Sequence, residues 1–251
     1  MLAAHEGRMI NILKIEHLSK RYGDKDQKAV DDLTLHIRPG EIYGFIGHNG
    51  AGKTTTLKAC CGILNFDEGE IYVDGISIKE NPLECKRRMA YIPDNPDLYE
   101  FLTGIQYLNF VADVYGVPAD ARQARIDEYS TALELRDDLA QKISAYSHGM
   151  KQKLAVIAAL IHDPKLLLMD EPFVGLDPKA AHTVKQIMRG FCDRGGAIFF
   201  STHVLEVAEK LCDKVAIIRG GKLVIAGDTE TVRGNETLED VFLELVEEGH
   251  A

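Results

Sequence analysis

The sequence predicts an α/β protein with a mostly parallel sheet, an antiparallel β-layer and an inserted all-helical lobe. Three observations predict it. Short apolar runs alternate with helical patterns in the second half of the chain, the rhythm of a parallel sheet. Period-two alternation in the first quarter marks half-buried strands. A stretch of nearly fifty residues between them, from about Pro96 to Ile143, carries helix signals and no strand signal.

In chain order, Leu13 to Ile37 alternates, with Leu33, Leu35 and Ile37 facing one way, and Gly69 to Gly75 repeats the pattern through Ile71 and Val73. These segments form the antiparallel layer. Ile42 to Ile46 is a short apolar strand running into a glycine-rich turn and then a helix, Lys53 to Cys61, stopped by Gly62. Thr103 with Gln106 makes a capping box for a helix reaching Tyr115, where Gly116 and Pro118 end it. A charged helix follows from about Asp120 to Leu133, and another from Ser147 to about Ile161. Leu166 to Met169 then reads as a buried strand, Pro178 to Phe191 as a helix and Ala197 to Ser201 as a strand. Val204 to Leu211 is a helix, and Val215 to Ile218 a strand turned by Gly220-Gly221 into Lys222 to Ala226. At the C-terminus, Leu238, Val241, Phe242, Leu245 and Val246 make one apolar helical stripe with acids opposite, expected to pack on the core. The domain is expected to span 9–251, with a helical subdomain at about 96–162. Residues 1–8 have no signal-peptide core and are expected to be a disordered leader.

Composition narrows the function. With 45% hydrophobic and 27% charged residues among 251, the mix is that of a globular domain. A net charge of -10 argues against a general nucleic-acid binder, which needs a surplus of Lys and Arg on its contact face. No apolar run approaches the roughly 18–20 residues of a membrane span. The five cysteines lack metal-ligand spacing and are expected to be buried free thiols in a reducing, cytoplasmic setting.

The chemistry is concentrated in two places. Gly47-His48-Asn49-Gly50-Ala51-Gly52-Lys53-Thr54, followed by Thr55, fits the phosphate-loop (Walker A) pattern between a strand and a helix. Its glycines let backbone N–H groups turn toward phosphates, and the helix adds its positive end. Lys53 is placed to reach the outer phosphates and Thr54 to bind Mg2+. Asp170-Glu171 ends the strand Leu166 to Met169, so that Asp170 can hold the magnesium shell and Glu171 can act as general base toward water. ATP with Mg2+ is the expected cofactor.

Here the sequence resembles the ATP-binding-cassette ATPases. The loop Gly47–Thr54, Tyr146-Ser-His-Gly-Met-Lys-Gln-Lys153, Asp170-Glu171-Pro172, Gly175-Leu-Asp177-Pro178 and Ser201-Thr202-His203 stand in that family's order over about Leu13 to Val246. The resemblance implies a P-loop NTPase core and an ATPase cycle in which two subunits sandwich two ATPs head to tail. It implies that Ser147 and Gly149 close on the γ-phosphate of a second cassette, that Asp177 communicates across the dimer, that His203 contacts the γ-phosphate, and that adenine stacks on Tyr22. Read as bare residues, Asp177 is an equally good helix N-cap, Ser147 is open to the same reading, and a tyrosine at a strand end is more often a packing residue. Two departures stand out. Asp94, in Tyr91-Ile-Pro-Asp94, occupies the place of a glutamine that reaches the metal, and is one methylene shorter. His148 and Met150 replace a glycine and a glutamine of the signature stretch.

The same resemblance implies two partners. One is a separate transmembrane permease, docked near Asp94 to Thr103 with Tyr99, Phe101 and Leu102. The other is a second cassette, identical in a homodimer or different in a heterodimer. It places the chain on the cytoplasmic face of the membrane, with no nucleic acid, and in similarity to exporter cassettes for drugs, lipids, polysaccharides or peptides. The alternative is a non-transport cassette acting on nucleic acid, ribosomes or cofactor assembly. The fused cassettes, coiled-coil insertions or basic extensions usual there are missing from this sequence.

Overall fold

The computed structural model describes residues 11–23 and 27–247; the leader at 1–8 lies outside them, as does the Val246 side chain. Two sheets form the body. Strands β1 (Leu13–Lys20), β2 (Val30–Ile37), β4 (Glu68–Val73) and β5 (Ile76–Ser77) make an antiparallel sheet in the order β2-β1-β4-β5. β3 (Ile42–Ile46), β6 (Met89–Ile92), β7 (Leu166–Asp170), β8 (Ala197–Thr202), β9 (Lys214–Arg219) and β10 (Lys222–Asp228) make the second, in the order β10-β9-β3-β8-β7-β6. Every pairing in it is parallel except the β9–β10 hairpin. The expected antiparallel layer and mostly parallel sheet are both present.

β3, β7 and β8 are buried along their whole length, so their side chains alternate between two cores. Tyr43, Phe45 and Phe199 face the antiparallel sheet and helix α1 (Lys53–Cys60), together with Leu13, Ile15, Leu33 and Ile71. Ile42, Ile46, Ile198 and Phe200 face the opposite side, where the remaining long helices pack. Sandwiching the sheet between two apolar layers is what forces its strands to be continuous apolar runs.

The helical segment consists of α3 (Gly104–Val114), α4 (Ala119–Ala132) and α5 (His148–Leu160), after a short α2 (Pro82–Arg88). The capping box at Thr103 forms as read: the hydroxyl accepts from the Gln106 N–H at 3.3 Å and the Gln106 side chain accepts from the Thr103 N–H at 2.9 Å. α5 carries Leu154 to Ile161 almost wholly buried, which explains a long apolar run with no membrane role. Among the described residues no helix is long and apolar enough to cross a membrane. α6 (Pro178–Asp193), α7 (Leu205–Leu211), α8 (Thr229–Arg233) and α9 (Leu238–Glu247) complete the chain. Leu238 and Phe242 of α9 are buried in the helical-side core, as the stripe predicts. All five cysteines are free and buried.

The parallel register brings the chemistry to one edge. Ile46 pairs with Thr202, Asp170 with Ser201 and Ile92 with Met169, so β3, β6, β7 and β8 all end together. The phosphate loop, Asp94, Asp170-Glu171 and His203 leave the sheet side by side at that carboxyl edge, the usual place for a ligand in an open α/β sheet.

Candidate nucleotide site

The loop between β3 and α1 is held open by its neighbours. Gly50 and Gly52 have φ of 81° and 110°, left-handed values that a side chain would strain. A Cβ on Gly52 would strike the Ala29 carbonyl, and one on Gly47 would lie 2.6 Å from the Ile218 oxygen. α1 starts at Lys53 with no side-chain cap and no acid in its first turn. Its positive end therefore stays available to an anion rather than being neutralised by the chain.

Lys53 is only 6% exposed. Its Nζ donates to the Gly47 carbonyl at 2.6 Å and to the His48 carbonyl at 3.3 Å, and lies 3.9 Å from Glu171 Oε1. Burial pushes this ammonium below the usual lysine range, with Glu171 and Asp170 pulling it back up. A buried cation served mainly by carbonyls is short of negative charge, which is what a phosphate supplies.

Thr54 Oγ1 donates to Asp170 Oδ2 at 2.6 Å, and the buried Ser201 hydroxyl donates to Asp170 Oδ1. Asp170, at 2% exposure, is thereby satisfied on both oxygens. Glu171 follows with φ of 46°, a left-handed conformation unusual for a residue with a side chain. That turn points its N–H at the Ser201 carbonyl and hydroxyl, both at 3.2 Å. Its carboxylate meets His203 Nδ1 at 2.9 Å. A cavity of about 210 Å3 is lined by Ala29, His48, Asn49, Gly50, Gly52, Lys53, Thr54, Thr55, Asp94, Asp170 and Glu171.

The residues fit both expected ligands. Open glycine backbone, an uncapped helix end and a buried cation suit a polyphosphate. Among the described residues no three His, Cys or carboxylate groups form a metal cage. Magnesium needs none, because it takes one or two protein oxygens and completes its octahedron from phosphate and water. Thr54 and Asp170, with Asp94 on the cavity wall, are oxygen donors of that kind.

Of the remaining predicted residues, Tyr22 is 44% exposed at the rim, its hydroxyl 3.3 Å from Thr55 Oγ1. Gly47 and His203 line an adjoining cavity of about 230 Å3 behind the loop, and Ala51 is buried beneath it. Ser147, Gly149 and Asp177 are not brought to either cavity. Ser147 caps α5, its Oγ accepting from the Met150 N–H at 3.2 Å, and is otherwise exposed. Asp177 caps α6, accepting from Ala180 N–H at 2.9 Å, and that bond holds its carboxyl below the usual range. Gly149 sits against the Gly175 carbonyl, and the His148 ring lies over Gly175, where any Cβ would collide with it. The bulky signature histidine is thus accommodated by a bare glycine in the neighbouring loop.

Sequence reasoning gave no role to Ala29 or Ser201, and to Phe242 only a place in the C-terminal apolar stripe. Ser201 is a hydroxyl at the end of the apolar run Ala197 to Phe200, and its register with Asp170 emerges only from the fold. Phe242 was legible as part of a buried stripe, but its meeting with the His48 ring, remote in sequence, carried no signal.

Comparison with known proteins gives the family. The profile of the ABC transporter family matches residues 30–174. This chain belongs to the ABC transporter ATP-binding proteins, which are ATPases. The bacitracin transport ATP-binding protein BcrA of Bacillus licheniformis is 37% identical over 86% of this chain and 69% of its own length. The Nod factor export ATP-binding protein I of Burkholderia pseudomallei is 35% identical over 86% of this chain and 70% of its own. A solved ATP-binding subunit of an ABC transporter superposes with a TM-score of 0.89 at 33% identity, covering 94% of this cassette and 99% of that chain. The P-loop NTPase reading of the fold holds.

Proposed function

We propose that this cassette binds Mg-ATP, dimerises head to tail on it, and drives a separate membrane permease that exports its substrate. The observation that carries the dimer is the division of the site. Lys53, Thr54, Asp94, Asp170 and Glu171 converge on one cavity, whereas Ser147 and Gly149 present a second helix N-terminus with nothing of this chain's nucleotide site beside it. Two such halves are complementary when two chains face each other. In this reading Lys53 and the loop N–H groups hold the β- and γ-phosphates, and Thr54, Asp170 and Asp94 hold the metal, Asp94 through water. Glu171 takes a proton from the attacking water while His203 steadies it. Tyr22 stacks on adenine, and Ser147, Gly149 and Asp177 serve the opposing chain's nucleotide.

Ser147 allows the two readings of its hydroxyl to be separated. Aspartate is as good an N-cap as serine, so Ser147→Asp keeps α5 and the melting temperature. It also puts a negative charge where a γ-phosphate is to sit. Turnover and ATP-induced dimerisation, measured by phosphate release and sedimentation, are expected to fall at least about tenfold, with ATP affinity of the monomer retained. Unchanged dimerisation would make Ser147 a cap and nothing more.

For the permease, support comes from an exposed aromatic cluster on the helical subdomain, which we place at about 96–162. Tyr99 stacks on Phe101 at 5.9 Å and meets Phe110 edge-on at 5.5 Å, and Phe101 is 73% exposed. Beside it lies a groove of about 310 Å3 walled by Leu98, Tyr107, Val111, Tyr115, Ala155 and His162. Burial pushes His162 down to about 4, so the groove presents no imidazolium at neutral pH. A groove of mixed lining with an aromatic rim suits a docking helix, and such docking puts the cassette on the cytoplasmic face. Outward transport is supported by the Nod factor export relative. Tyr99→Ser with Phe101→Ser is expected to abolish co-purification with membranes while solution ATPase activity stays within about twofold, since such surface substitutions change stability little. Membrane retention of that double variant would rule out this docking surface.

A further inference from the structure

We propose that Phe242 of the C-terminal helix is a positioning residue for the phosphate loop. Its ring centroid lies 4.7 Å from that of His48 at 60°, an edge-to-face pair. Phe242 is 7% exposed, and it shares the cavity behind the loop with Ile46, Gly47, His48, Asn49 and His203. The tail therefore touches the loop that holds Lys53 and shares a cavity with the residue that pairs with Glu171.

The loop needs such support. Its glycines make the backbone soft, and its carbonyls at Gly47 and His48 are the ones that hold Lys53 Nζ. Contacts from several elements limit its movement, the Gly221 N–H donating to the Ala51 carbonyl at 3.0 Å among them. The Ile218 carbonyl presses on Gly47 and the Ala29 carbonyl on Gly52. Phe242 meets the His48 side chain between them. Ile218 belongs to β9 and Ala29 to the loop before β2, whereas the Phe242 contact depends on where α9 sits.

α9 is fixed at both ends. At its start, Thr237 Oγ1 accepts from the Asp240 N–H at 3.1 Å while the Thr237 N–H donates to Asp240 Oδ2 at 3.2 Å. The Leu238 N–H donates to Glu209 Oε2 of α7 at 2.8 Å, and Leu238 is wholly buried. At its end, the Arg219 guanidinium donates to the Leu245 carbonyl. α7 begins two residues after His203, and Arg219 follows Ile218, which presses on Gly47. Both clamps on the tail thus come from elements that border the ATP site. Phe242 closes the circuit between them.

The test is a set of full-length variants measured for Mg-ATP affinity, kcat, KM and Tm. Phe242→Ala is expected to weaken ATP binding by about two- to tenfold, the scale of one aromatic pair, and to lower kcat. Phe242→Leu keeps apolar volume for folding and should show the same direction, whereas Phe242→Tyr, which keeps the ring, should restore affinity to within about twofold. Leu243→Ala, on the exposed side of α9, should change nothing. The His48→Ala and Phe242→Ala effects on affinity should be less than additive, because both remove one contact. If Phe242→Ala and Phe242→Leu lower Tm while affinity, KM and kcat stay at wild-type values, or if the two effects add fully, Phe242 is packing alone and the proposal is overturned.

Discussion

Replacing Glu171 with glutamine is expected to lower ATP turnover by about 10²–10⁴-fold, the range that general-base catalysis supplies, with ATP affinity undiminished. The geometry separates the two quantities. Glu171 adjoins His203 at 2.9 Å and Lys53 at 3.9 Å but is not among the groups that hold Lys53 by hydrogen bonds. Its left-handed backbone is held by the Ser201 carbonyl and hydroxyl, which a glutamine leaves untouched. The substitution therefore removes a proton acceptor without moving the turn. It also removes the carboxylate that competes with a phosphate for the buried ammonium, so affinity should hold or tighten. Phosphate release at saturating Mg-ATP and equilibrium binding of ATP measure the two sides. Undiminished turnover would take Glu171 out of the base role.

What the sequence made legible was whatever is encoded by neighbours along the chain. The strand β3, the loop and α1 are contiguous, so this strand–loop–helix unit could be read from eight residues and their flanks. The Thr103–Gln106 capping box is a three-residue relation and formed as expected. The short α2, β5, β6 and α8 were not foreseen, because a few residues contain too little periodicity to outweigh turn signals. Contacts across register were harder still. Ser201 meets Asp170 only because β7 and β8 are parallel neighbours, and Ala29 reaches Gly52 from the loop before β2. The C-terminal stripe showed that α9 would be buried but not against what. Amphipathicity gives a face, and the partner of that face is fixed by the tertiary fold. Phe242 beside His48 is of that kind.

Lys53→Ala is expected to weaken ATP binding by at least about thirtyfold, the low end of the 2–5 kcal/mol lost when one partner of a buried, hydrogen-bonded charge pair is truncated. The argument turns on what the lysine costs before ligand arrives. Its ammonium is buried, and burial lowers its proton affinity, which means the charged form is disfavoured there. Carbonyls at 2.6 and 3.3 Å offset part of that penalty, and Glu171 at 3.9 Å offsets more. An incoming polyphosphate offsets the rest, so the unfavourable burial of Lys53 in the free protein becomes binding energy in the complex. Removing it should leave the melting temperature of the free protein close to wild type, because a penalty and its partial compensation vanish together. The rise in melting temperature with Mg-ATP should disappear, since that rise follows the ratio of ligand concentration to Kd. Lys53→Arg should fail as well. A planar guanidinium cannot take the place of a compact ammonium between the Gly47 and His48 carbonyls, although it carries the same charge. Retained thermal stabilisation by Mg-ATP in Lys53→Ala would show that the loop N–H groups and the α1 terminus suffice, and would remove Lys53 from phosphate binding.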